Sequence, residues 1–281
     1  MGKYDKPLGS SGIEWTNRTW NPTTGCDKTS AGCKNCYAEP LARRLQAMGN
    51  PRYAAGFALA LHGDKVSEPV GWRKPEWVFV NSMSDLLHRD VPLVFIRAVF
   101  ETMGQRAPWH RYQVLTKRAE RWPEVSAAVV ERFGAFPANV LPGASVENRR
   151  ALDRLPFLGR AGGGGACRML SVEPLLESLC GGDVPGLAQQ FRGARIGWVI
   201  TGGEAGWNAR PNVEDWFREV RDACSLAGVP FFHKQFGGKA MTKEGKRGGT
   251  LAVLDGRLHH EMPSVWAAPA PGAGQVSLLA G

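Results

Sequence analysis

The sequence predicts an α/β protein built on a parallel sheet, and three observations carry that prediction. Short β-branched or aromatic runs are each followed by a stretch of helical spacing, their apolar portions do not alternate with polar residues, and they end in polar or glycine-rich clusters. A strand that reads as a continuous apolar run is buried on both faces, as in a sheet covered by helices. The clearest runs are WVFVNSMSD (77–85), YQVLTKR (112–118), NVLPGASVEN (139–148), CRMLSVEP (167–174), GWVITGGEAG (197–206) and VPFFHKQFGG (229–238).

Helices are expected between them. Residues 36–48 place Leu41, Leu45 and Met48 on one face, with Pro40 in the first turn. Residues 91–104 start with Pro92 and stop at Gly104, and 213–227 align Val213, Trp216, Phe217, Val220 and Cys224 before Gly228. AGGGG at 161–165 reads as a flexible connection. No composition shift marks a domain boundary, so one domain is expected over residues 1–266, followed by a flexible C-terminal tail over 267–281.

Of the 281 residues, 43% are hydrophobic and 22% charged, and no apolar run approaches the ~20 residues of a membrane span. The start, MGKYDKPLGSSGIEW, lacks the apolar centre of a signal peptide, so the expected compartment is a reducing cytoplasm. Lys and Arg outnumber Asp and Glu by 35 to 26, giving +9. That balance favours a polyanionic partner such as a nucleic acid, and also fits a solvated basic surface on an enzyme with a small substrate.

In parallel α/β folds, ligands gather at the carboxyl ends of the strands. Here those exits carry Asn81, Ser82, Ser84 and Asp85; Thr116, Lys117 and Arg118; Ser145, Glu147 and Asn148; Ser171 and Glu173; Gly202, Gly203 and Glu204; His233, Lys234 and Gln235. Such residues also cap helices, but six polar exits in succession exceed what capping needs.

The segment CDKTSAGCKNC places Cys26, Cys33 and Cys36 at C-x6-C-x2-C spacing, in a loop leading into the first helix. Three readings are open. A reducing compartment argues against disulfides. Structural zinc wants a fourth ligand, and the nearest later histidine is His62, so Cys167, Cys180, Cys224 or a distant histidine would have to complete it. Three thiolates can also hold a [4Fe-4S] cluster, leaving one iron open to a cofactor or substrate. Cys167, Cys180 and Cys224, well separated in apolar surroundings, read as inert core thiols.

The three-cysteine loop ahead of successive βα units resembles the radical S-adenosylmethionine superfamily, most of whose members have C-x3-C-x2-C. IEWTNRTWNPTTGCDKTSAGCKNCYAE, VFVNSMSDLLHRDVP, QVLTKRAER, SVEN, SVEPLL, ITGGEAG and VPFFHKQFGG together resemble a phage-associated, radical-SAM-like family over roughly residues 13–263. The resemblance implies a [4Fe-4S] cluster on Cys26, Cys33 and Cys36, S-adenosyl-L-methionine as cofactor and an external electron donor. It implies cofactor contacts from Asn81, Ser82, Ser145, Glu147, Ser171 and Glu173, with Glu204 facing the substrate; His233 and Lys234, at the last strand end, are candidate catalytic proton donors beside a radical intermediate. The implied activity is a 5′-deoxyadenosyl radical abstracting hydrogen from a nucleobase or modified nucleotide, with an isomerase of an amino-acid-modified thymidine in phage DNA as its narrowest form. A radical enzyme acting on a peptide or small metabolite, and a zinc-stabilised nucleic-acid-binding module without catalysis, are the alternatives. Lys117, Arg118, Arg149, Arg150, Lys234 and KAMTKEGKR (239–247) are candidate phosphate contacts, and Trp72, Trp77, Trp109 and Trp207 candidate stacking faces. Together these readings predict a radical-SAM-like partial (β/α)6 barrel, with the cysteine loop above its first strand and a short C-terminal cap.

Overall fold

A computed structural model of the chain describes residues 11–206, 208–238 and 252–263. Its frame is a curled sheet of seven parallel strands forming a half-barrel. These are β1 (Arg18–Trp20), β2 (Trp77–Val80), β3 (Arg111–Thr116), β4 (Val140–Ser145), β5 (Arg168–Val172), β6 (Ile196–Gly202) and β7 (Phe231–Gln235). Each strand pairs with the next in the chain. The connections carry α1 (Ala38–Ala47), α2 (Leu93–Glu101), α3 (Trp122–Phe133), α4 (Leu155–Leu158), α5 (Val184–Gly193) and α6 (Glu214–Ala227).

The predicted α/β class holds, but the sheet has seven strands rather than six. The addition is β1, three residues with an exposed Arg18, registered Arg18↔Val78 and Trp20↔Val80 against β2. A segment that short gives no apolar run to recognise.

Both strand faces are apolar because both are packed. Val78, Val80, Tyr112, Val114, Val199 and Phe231 join the core beneath the helices. Trp77, Phe79, Leu141, Met169, Trp198, Ile200 and Phe232 form a second cluster on the other face, closed by Trp15 from the N-terminal segment. The Trp15 ring lies 4.9 Å from Phe79 and 6.3 Å from Trp198, within the range of favourable aromatic pairs. Packing here is tight enough to demand a glycine: a Cβ on Gly143 would sit 2.4 Å from Met169 Cγ.

Three local expectations change. Helix α1 buries Ala38 and Ala42, and leaves Leu41 and Met48 39% and 70% exposed, because small residues let it approach Tyr53 and Met83 closely. Helix α2 runs on into a wide turn over Thr102–Arg106, past the expected stop at Gly104. The AGGGG connection is pinned: the buried Arg168 donates to the carbonyls of Leu158 (2.8 Å), Ala161 (2.7 Å), Gly163 (2.8 Å) and Ala166 (2.9 Å).

Residues 252–263 supply the predicted cap. Their strand pair, Val253–Leu254 with Arg257–Leu258, leads to an antiparallel bridge between His260 and Phe232 that covers the open edge at β7. The expected tail at 267–281, the basic run 239–247 and Trp207 lie outside the described residues. No helix among the described residues is long and apolar enough to cross a membrane.

Candidate functional site

The cysteine loop sits over the carboxyl ends of the strands. Its entry needs Gly25, at φ +77 and so close to Ala58 that a Cβ would be 2.0 Å from that carbonyl oxygen. Gly25 bridges Ser84 after β2, and the Cys26 N–H donates to Phe57 O at 3.0 Å. Cys33 closes the 3-10 turn Ala31–Cys33, and Cys36 stands two residues before α1. All three cysteines are half-buried and free of disulfides.

Three carboxylates from three strand exits bind this loop down, two of them directly. Asp85 accepts from Thr116 Oγ1 (2.8 and 2.9 Å), the Leu87 N–H (3.0 Å), the Lys117 N–H (3.1 Å) and Arg118 Nη1 (3.2 Å). Arg118, thus fixed, donates to Cys26 Sγ at 3.5 Å, to Asp27 O at 3.2 Å and to the Asp27 carboxylate, which also meets His88 Nε2 at 2.5 Å. Glu147 accepts from the Gly32 N–H at 3.4 Å and from Arg154 Nη1 at 2.7 Å. Glu204 accepts from Asn35 Nδ2 at 2.9 Å and is clamped by Arg210 Nε (2.9 Å) and Nη2 (2.5 Å).

These charges set the acidity of the groups around the thiols. Burial, reinforced by the Asp85 carboxylate, pushes the Cys26 thiol up to about 11 against the pull of Arg118. Burial also opposes ionisation of Cys33, yet backbone hydrogen bonding at Thr29 and the Lys117 ammonium bring it below its ordinary value. The Glu147 carboxyl is buried, which raises it, but Arg154 holds it below the usual carboxylate range. Glu204 shows the same opposition, between burial and Arg210.

The nominated residues divide into those the fold gathers at the mouth and those it does not. Asn81 adopts φ 64 at the end of β2 and is buried; its Nδ2 donates to Ser84 Oγ at 2.6 Å and to Thr23 Oγ1, while its Oδ1 has no partner among the described residues. Ser82 exchanges hydrogen bonds with Asn21 at 3.2 and 3.3 Å, and its carbonyl accepts from Tyr37 Oη at 2.5 Å. Ser145 and Ser171 are buried and adjacent in register on β4 and β5. Lys234 Nζ donates to Glu173 at 2.5 Å, over Gly202, whose Cβ would come within 3.1 Å of that carboxyl.

His233 is not a mouth residue. It is fully buried on the helix side of β7, with its ring 5.0 Å from Phe217 and 4.6 Å from Phe236 and Nδ1 3.0 Å from Thr201 Oγ1. Nor do the three nominated tryptophans that are described, Trp72, Trp77 and Trp109, border the mouth. Trp77 opens β2 within the second core cluster, and Trp72 lies under Arg18 with its carbonyl bonded by Trp109 Nε1 at 3.0 Å, beside the starts of β1 and β3. Arg118, expected to be open to a phosphate, is 5% exposed and committed to its two aspartates.

Sequence reasoning missed Asn21, Asp27, Asn35, His88, Arg154 and Arg210. Arg154 and Arg210 carry the only signal, each following its acid within seven residues. A cavity of about 440 Å³ flanks the loop, lined by Asp27, Lys28, Thr29, Arg89, Arg118, Glu120 and Arg121. A larger one, about 590 Å³, lies between α6, the start of β7 and the C-terminal strand pair, and none of the three loop thiols borders it.

Burial, with the charges of His259 and His260, pushes His233 down to about 4. Between pH 4 and 6.5 the unfolded chain therefore binds the proton and the folded chain does not, so stability rises with pH across that window. At about 1.4 kcal/mol per unit, roughly 3 kcal/mol is expected to be lost from pH 7 to pH 4. Denaturant titrations should show a shallower loss in His233→Gln, with His259, also held down by burial, supplying part of the remainder. Equal losses in the two proteins would contradict this placement.

Fold and site together define a parallel α/β half-barrel with a three-thiol loop tied across its mouth. Residues 10–263 match the family described as "Protein of unknown function (DUF5131)", and the chain belongs to that family. No curated protein and no solved structure matches it.

Proposed function

We propose that the chain is a radical S-adenosylmethionine enzyme that holds a [4Fe-4S] cluster on Cys26, Cys33 and Cys36 and acts on a nucleobase or modified nucleotide. The observation that carries this reading is the placement of three free, half-buried thiols on one loop fixed to three strand exits of a parallel half-barrel. Among the described residues, no group of three or more His, Cys, Asp or Glu is close enough to hold a metal ion as the side chains stand. Three thiolates are the donor type that a [4Fe-4S] cluster takes, each binding its own iron and leaving the fourth iron open. When bound, the cluster supplies one electron to the sulfonium of S-adenosylmethionine and so opens hydrogen-abstraction chemistry.

The chain's own residues position the reactants. Asn81 Oδ1 is a buried acceptor without a partner among the described residues, suited to the amino group of the cofactor. Ser145 and Ser171 offer hydroxyls at the next exits, and Glu173 paired with Lys234 presents both charges beside them. Glu147 and Glu204 act on the loop, holding its backbone and Asn35. The charge of +9 supports an anionic, nucleotide-based substrate.

The reading is tested by anaerobic incubation with dithionite and S-adenosylmethionine, with DNA, nucleotides and amino-acid-modified thymidines as substrates. Formation of 5′-deoxyadenosine, reduced to background in Cys33→Ala, is expected. Absence of cleavage by a cluster-loaded wild type would sink the proposal.

A further inference from the structure

The three thiols are not equivalent. Cys33 Sγ has the Ser30 hydroxyl at 3.7 Å, whereas Cys26 Sγ has the Arg118 guanidinium at 3.5 Å. Arg118 is itself buried, and its donors are divided between Cys26, Asp85 and Asp27. Asp85 in turn is fixed by the Thr116 hydroxyl and two backbone N–H groups, and Asp27 by His88 at 2.5 Å. A planar guanidinium held on two sides by carboxylates cannot swing away from the sulfur.

We infer that Arg118 is a positioning residue that tunes the cluster through Cys26, an inference that rests on the cluster reading above. Adding an electron to an iron–sulfur cluster increases the negative charge on its sulfurs, and a hydrogen bond or fixed cation at one sulfur stabilises that state. Arg118 therefore raises the reduction potential and lets an external one-electron reductant load the cluster. Asp85 and Asp27 set the size of the effect, because each offsets part of the guanidinium charge.

The test is a redox titration of the reconstituted full-length protein, followed by electron paramagnetic resonance, with iron and sulfide measured in each sample. Arg118→Met should shift the potential to more negative values, Arg118→Lys should recover part of that shift, and Asp27→Asn should move it the opposite way. A merely structural role would change the iron content while leaving the potential of the surviving clusters in place. If Arg118→Met cannot be folded, the opposite shifts of Arg118→Lys and Asp27→Asn carry the test. Loaded variants at the wild-type potential would overturn the role of Arg118 and leave the cluster reading standing. A wild type that takes up no iron and sulfide would overturn both.

Discussion

Replacing Arg168 with alanine is expected to lower stability by about 4 kcal/mol. The side chain is 1% exposed and has no carboxylate partner among its described contacts, bonding instead to four carbonyls across the turn after α4. Truncation takes the donor from all four; the bonds to Leu158 and Ala161 are buried and those to Gly163 and Ala166 part-buried, so the first two acceptors carry most of the loss, at about 1–3 kcal/mol each. Burial already lowers the guanidinium's affinity for its proton, so the site holds its charge at a cost that only this full set of bonds offsets. Lysine, with one nitrogen in place of three, should recover only part of the loss. Urea unfolding with an unchanged slope and a shifted midpoint would report this directly, and a loss below about 1 kcal/mol would contradict it.

Asp85→Ala is expected to cost roughly 3 kcal/mol and to loosen the cysteine loop. Removing one member of a buried ion pair leaves the other charge desolvated, at about 3–5 kcal/mol, and Asp27 keeps the loss near the lower end. The side chains of Asp85 and Arg118 are 8% and 7% exposed, whereas that of Asp27 is 43% exposed and worth less as a partner. The substitution also takes an acceptor from Thr116 and from two backbone N–H groups, so the exits of β2 and β3 lose their tie together. Asp85→Asn preserves the shape and should be the milder change. Chemical denaturation of both variants decides this, and an alanine variant as stable as wild type would show that Arg118 is held by Asp27 alone.

Much of the frame was legible because its signal is local. The six apolar runs became β2 to β7, and Gly228, at φ 70, ends α6 where the pattern stopped. The errors arose where burial depends on distant chain. Leu41 and Met48 look like the inner face of α1 until Tyr53 and Met83 select the alanine face, and AGGGG looks loose until Arg168 binds its carbonyls. At the site, the spacing of the thiols and the acids at the strand exits could be read directly. The partners of those acids could not, since Gly32 meets Glu147 across 115 residues and Asn35 meets Glu204 across 169. His233 shows the limit of a strand-end list: one step along β7 from Lys234 turns a side chain from the mouth to the helix side.

Whether Cys26, Cys33 and Cys36 form one cluster site is decided by metal content. Iron, sulfide and zinc should be measured per chain after anaerobic reconstitution of the wild type and of each single Cys→Ala variant. About four irons and four sulfides are expected in the wild type, with a marked loss in all three variants. A colourless protein with about one zinc per chain and no sulfide would contradict it, and would make the loop a structural metal site.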